Sequence, residues 1–322
     1  MKTRPFPNVC RPVSLLTLAL LVCGGLPAIA MAQDDAPQTV DLRPKFVEGR
    51  SVAYEYWTNR QTHVSIAAAG KRKEAGTIIA SSGRIKLTID SVTPDGAATG
   101  TLVYEWITIN ITGPDGTTKK NDSRSSGEIP PLQNLIQSIA GEPITVTFNA
   151  EGEATGLSGL DNIESKLENK KAMPQKRDFL ETARILMGIP DAPAQASVGT
   201  RWSEQFTGSH QMGSMDYDTT WTLDSVGQLG DVPIPVASIS GQSRMTLDVD
   251  RSKMPANAPP VQVQMTNSEN QSQIWFDLQL GEIVGRNNVS TNTVTASMSV
   301  GTQTLTQTTT ERSTEQFLRV AE

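Results

Sequence analysis

Two histidines, His63 and His210, each follow the first predicted strand of one half of the chain, in Gln61-Thr62-His63 and Gly208-Ser209-His210. Brought together they would form a two-histidine metal site, but no further ligand stands at zinc-type spacing, so both are read as loop histidines. Asp216 with Asp218, and Asp248 with Asp250, place two carboxylates on one face of a strand, a pattern that can hold calcium or do acid/base work across a cleft. Asp90 and Asp224 occupy matching places in two similar segments and are read as strand-end aspartates bonding backbone amides. Gly156-Leu157-Ser158-Gly159 lacks the glycine spacing of a nucleophile elbow. H-E-x-x-H, Walker and G-x-G-x-x-G patterns are absent, so no catalytic residue, metal or cofactor is assigned.

The thiols leave with the leader. Lys2, Arg4 and Arg11 form a basic start, Leu15 to Val22 an apolar core and Ala30-Met31-Ala32 a cleavage site, so residues 1–32 read as a secretory signal. Cys10 and Cys23 both lie within it, which gives an exported chain no disulfide and no thiol nucleophile. Gly24 after Cys23 fits a lipoprotein signal and Val22 before it does not, so Cys23 is read as unlipidated. The net charge of −6 becomes more acidic once the three basic leader residues are gone, and this excludes nucleic acid as a partner. Asn110, Asn121, Asn270 and Asn288 head N-x-S/T sequons, which carry no meaning in a bacterial host.

The elements that must position these groups are mostly strands. Val52, Tyr54 and Tyr56 share one face of an alternating segment, as do Ile85, Leu87 and Ile89, then Val103, Ile107, Ile109 and Ile111, then Ile144, Val146 and Phe148. Pro94-Asp95-Gly96 and Pro114-Asp115-Gly116 are turn tripeptides, and the polar stretch from Thr112 to Glu128 reads as an exposed hairpin tip or loop. Val294, Ala296, Met298 and Val300 alternate with hydroxyl residues, as a half-buried strand does. Helical periodicity is confined to Leu132, Leu135, Ile136 and Ile139, to Asp161–Ala172 and to Asp178–Met187.

A repeat organises the whole. Ile89-Asp90-Ser91-Val92 with Gly96 matches Leu223-Asp224-Ser225-Val226 with Gly230 at one offset, without a gap. Val47-Glu48-Gly49 before an aromatic strand is answered by Ser197-Val198-Gly199 before Trp202 and Phe206. Phe148-Asn149 leading to Gly152-Glu153 is answered by Phe276-Asp277 leading to Gly281-Glu282. The expected architecture is therefore mainly β (α+β): two duplicated, curved antiparallel sheet units at 42–172 and 195–320, with a helical linker at 173–194.

The run from Leu42 to Gly49, the strand Gly141-Glu142-Pro143-Ile144-Thr145-Val146-Thr147-Phe148, the Gly156-to-Asp161 turn and Val198-Gly199-Thr200-Arg201-Trp202 together resemble an uncharacterised family of exported bacterial proteins carrying a domain of unknown function. That resemblance implies a Gram-negative-type envelope location, in the periplasm or on the cell surface, and supplies no catalytic residues. A curved sheet with a helix across its hollow side also resembles periplasmic carriers of acyl chains. The expectation is a non-enzymatic envelope protein that binds an apolar small molecule or another envelope protein, with Trp106, Leu132, Ile136 and Trp202 as the ligand-binding residues. A structural or adhesive surface component, using the loops at Thr112–Glu128 and Asp250–Pro260, and a hydrolase using Asp216 and Asp218 are the alternatives.

Overall fold

The computed structural model describes residues 39–170, 173–210, 213–229, 232–249, 261–300 and 303–321. The predicted signal, both cysteines, Asp250 and the rest of the 250–260 loop lie outside them. Among the described residues are twelve strands, most of them on alternating segments: β1 (Ser51–Ala68), β2 (Lys71–Val92), β3 (Ala98–Thr112), β4 (Thr118–Asp122), β5 (Pro143–Phe148), β6 (Ala154–Ser158), β7 (Arg201–His210), β8 (Gly213–Leu229), β9 (Val232–Val249), β10 (Val261–Asp277), β11 (Glu282–Val300) and β12 (Gln303–Val320). They form one open antiparallel sheet in the order β6-β5-β3-β2-β1-β12-β11-β10-β9-β8-β7, with β4 added beside β3. Two sheet units were expected; the strands of both halves lie in one sheet because β1 pairs along its length with β12, from Ala53↔Val320 to Ala67↔Thr306.

Period-two alternation gives this sheet an inner face that carries the core and an outer face in water. Val52, Tyr54, Ile85, Leu87, Leu102, Ile144 and Phe148 bury on the inner face in the first half, and Trp221, Leu223, Ile239, Ile274 and Ile283 in the second. Three helices among the described residues cover this end. Helix α1 (Pro130–Ile139) starts on two prolines, whose missing N–H groups fall where a first turn leaves donors unpaired, and it stops just before Gly141 at φ +81°. Helix α2 (Leu160–Lys166) is shorter than the predicted 161–172, because the chain turns extended at Leu167. Helix α3 (Lys176–Met187) opens with a capping box between Gln175 and Asp178 and buries Phe179, Ala183 and Leu186. The Tyr54 hydroxyl ties α3 to the sheet, lying 3.1 Å from the Leu186 carbonyl and 3.0 Å from that of Ile283.

The 112–128 stretch is more ordered than a loop, since Thr118–Asp122 adds a strand to β3. The matched segments share local geometry. Asp90 and Asp224 each sit at a register shift, between Ile89 and Ser91 and between Leu223 and Ser225. Each carboxylate accepts a bond from a hydroxyl on the next strand, Thr101 at 2.7 Å and Ser240 at 2.9 Å, where backbone amides were expected. The Gly49 N–H donates to the Ile89 carbonyl and the Gly199 N–H to the Leu223 carbonyl, both at 2.8 Å. Two interior glycines seat aromatics: a Cβ on Gly83 would strike the Tyr56 ring, and one on Gly241 the Trp221 ring.

Candidate functional site

The inner face continues well past the helix-covered core. Along β11 its residues run Arg286, Asn288, Ser290, Asn292 and then Val294, Ala296 and Met298, so the face passes from core through a polar belt to a second apolar zone. The belt repeats on the neighbours as Ser272, Asn270 and Ser268 on β10 and as Glu315, Ser313 and Glu311 on β12. The apolar zone repeats as Met265, Val263 and Val261 opposite Val294, Ala296 and Met298. These six side chains are half-buried and lie outside the cluster that forms the core. Met215, Met245 and Leu247 extend the zone across β8 and β9, and Phe206 and Tyr217, ring centroids 5.9 Å apart, close it at β7.

The belt carries a cluster of charges. Arg184, at the end of α3, bonds Glu204 on β7 and lies 2.9 Å from Glu181, and the Trp221 indole donates to Glu204 at 3.2 Å. Arg286 is buried beneath, its guanidinium 6.0 Å from the Trp221 ring centre, and burial lowers its pKa from the usual arginine range. Its Nη1 has no hydrogen-bond partner among the described residues. Arg60 and Glu311 pair at 3.4 Å farther out.

A second charged group closes the base of the sheet. Arg50 meets Glu282 at 2.6 Å, while Arg319 bridges Glu282 and Asp277, each at 3.1 Å. Asp277 is fully buried and also accepts the backbone N–H groups of Gln279 and Leu280. Burial raises the Glu282 carboxyl above its ordinary value, with the two arginines opposing it. A cleft of about 420 Å³ opens beside Arg50, Glu282 and Arg319. Sequence reading took Phe276-Asp277 and Gly281-Glu282 as hairpin punctuation; the two distant arginines that meet them gave no local signal.

Of the four ligand-binding residues expected from sequence, Leu132, Ile136 and Trp202 pack in or against one core cluster, and Trp106 does not. Ile136 is 1% exposed within the core, and Leu132, one turn earlier on α1, packs against its edge. Trp202 lies on β7 opposite Trp221, with its indole donating to the Pro190 carbonyl at 3.0 Å. Trp106 stands on the outer face opposite Arg84, with the Arg124 guanidinium 4.5 Å over its ring. Among the chemical candidates, Asp216 and Asp218 lie exposed on the outer face, Asp216 accepting the Thr207 hydroxyl at 2.7 Å. Asp248 is exposed on β9. His63 is half-exposed, 3.8 Å from Glu74, and His210 ends β7. No group of three or more His, Cys, Asp or Glu that could hold a metal ion exists among the described residues. None of their helices is long and apolar enough to cross a membrane.

No family model matches the chain. No curated protein matches it either. Among solved structures, a lipovitellin studied for its lipid–protein interactions aligns at 12% identity with a TM-score of 0.44, over 86% of this chain and 25% of that one. This chain thus spans about a quarter of that protein's length. A DUF1329 family protein from the bacterium Desulfovibrio piger aligns at 8% identity with a TM-score of 0.12, over 79% of this chain and 83% of that one.

Proposed function

We propose that this chain is an exported, non-enzymatic bacterial envelope protein that holds an apolar ligand against the distal inner face of its sheet. The observation that carries this reading is the apolar zone on β10 and β11: Val261, Val263, Met265, Val294, Ala296 and Met298 turn to the inner face yet stand outside the core. Half-buried methionine and valine side chains form a deformable apolar surface, and covering such a surface with hydrocarbon releases its bound water. Ligand sites are mostly apolar with a few polar groups that orient the guest, and the Ser/Asn belt beside this zone supplies them. In this reading Leu132, Ile136 and Trp202 shape the covered end of the same face, while Trp106 stays behind the sheet.

We also read the halves 42–172 and 195–320 as copies of one strand meander joined by 173–194. The shared register shift at Asp90 and Asp224 and the matching glycine bonds support this.

The test is a titration of delipidated protein with 11-dansylundecanoic acid. Binding should raise and blue-shift the dansyl emission and raise the melting temperature. Met298→Asp and Val263→Asp should each weaken it at least about tenfold, since burying a carboxylate against hydrocarbon is costly. Delipidated protein that changes neither emission nor melting temperature would remove the proposal.

A further inference from the structure

The outer face carries a second feature, independent of the apolar zone because it lies on the opposite side of the same strands. One cross-strand row reads Thr108, Ser82, Trp57, Gln316, Asn287 and Gln273, and continues to Ser240 and Thr222. The next row reads Asn110, Ala80, Asn59, Thr314, Val289 and Gln271, and continues to Gln242 and Thr220. From β3 to β8 both rows cross eight strands without one charged residue, in a chain that is 19% charged, and charge stands at their ends, Asp122 and Lys120 on β4 and Arg201 on β7.

Charge returns on either side. Glu55 and Arg84 stand in the row nearer the base, and Arg312, Glu269 and Asp218 in the row beyond. At the usual strand spacing the neutral band is roughly 34 Å long. Toward its β3 end, across β3, β2, β1 and β12, the band holds an open groove of about 310 Å³ lined by Trp57, Asn59, Ala80, Ser82, Asn110 and Gln316. Trp57 is 39% exposed there, although an indole on a solvated strand is ordinarily covered. The Oδ1 atom of Asn287 is buried in the same band without a hydrogen-bond partner among the described residues.

We infer that this band binds a neutral polysaccharide chain, with one sugar ring stacked on Trp57 and its neighbours bonded to the amide and hydroxyl side chains. A pyranose presents apolar C–H edges and a rim of hydroxyls that both donate and accept. An exposed indole meets the first, and Asn, Gln, Ser and Thr match the second because each offers donor and acceptor atoms. Absence of charge selects against nucleic acid and acidic polymers, which need cations. The length of the band fits a chain laid across the strands better than a single small molecule.

Native electrophoresis of the full chain, in gels cast with hydroxyethyl cellulose, galactomannan, xylan or glycol chitin, reads this directly. At least one neutral polymer should retard the protein relative to a gel without polymer. Trp57→Ala and Gln316→Glu should each cut the retardation constant about tenfold while melting within a few degrees of the parent, since both side chains point to solvent. The inference is overturned if none of the four polymers retards the protein, if both variants are retarded like the parent, or if polygalacturonate retards it more than every neutral polymer. Failure of dansyl-fatty-acid binding would leave this result untouched, because Met298→Asp alters the other face.

Discussion

Glu282 sits between Arg50 and Arg319 at the foot of the sheet, and its burial sets a pH dependence with a definite sign. Desolvation lifts its carboxyl above the ordinary 4.5 despite the flanking arginines. In the window just above that value the folded chain therefore holds a proton that the unfolded chain has released. Stability from this group is present at lower pH and is lost as pH rises through the folded-state value. Glu282→Gln removes the titration, so urea midpoints measured from pH 4 to 7 should lose that downward component. At neutral pH the amide stands in for the uncharged carboxyl that the fold favours, so the variant's urea midpoint there should match or exceed the parent's. A variant whose pH profile runs parallel to the parent's would assign the dependence to another group. Gly241 offers a second residue-scale check. Gly241→Ala drives a methyl into the Trp221 ring and should cost about 2 kcal/mol by chemical denaturation, with a matching shift in tryptophan emission.

At the scale of elements, local chemistry explains what was readable. Strand alternation in Val52-Tyr54-Tyr56 and Ile85-Leu87-Ile89 is a two-residue pattern, and the strands appear where it does. Helix α1 follows its i, i+3, i+4 spacing and its paired prolines, and Ile136, in the middle of that stripe, is buried against the core. Ile136→Ala should therefore cost about 3 kcal/mol, and Leu132→Ala, at the half-covered edge, clearly less; equal costs would mean that α1 is seated differently. Helix α2 ends at Lys166 because Leu167 turns extended and is buried in that conformation, off the helix. Strand β4 was unreadable for the converse reason: Thr118–Asp122 has no apolar alternation, and only β3 beside it supplies the ladder. The distal apolar zone was half legible. Val294, Ala296 and Met298 alternate visibly, but nothing local tells whether a helix will cover a half-buried strand. The neutral outer band was invisible, since Trp57, Gln316 and Asn287 come from three strands and adjoin only through pairings between the chain's two ends.

Those pairings decide how the molecule behaves as a whole. Gln38–Glu322 form one compact unit, and the seam between its halves is the β1–β12 ladder, which joins Ala53 to Val320. Residues so far apart in sequence meet only after a large loop has closed, and that entropy is recovered when the ladder and the core beneath it form together. Tyr54 and Phe317 make the dependence mutual: Tyr54 on β1 bonds carbonyls from α3 and β11, and Phe317 on β12 lies 5.9 Å from the Tyr56 ring. Neither half then completes its core without the other, however similar their internal strand order. The chain should unfold in urea in a single transition, with circular dichroism and tryptophan fluorescence giving the same midpoint. Ending the chain after Val300 removes β12, bares β1 and β11 as edges and takes away the Arg319 bridge, so this truncation should lose cooperative unfolding altogether. Two separated transitions in the full chain, or a truncated form that still melts sharply, would show that each half is stable by itself and that the seam only tethers them.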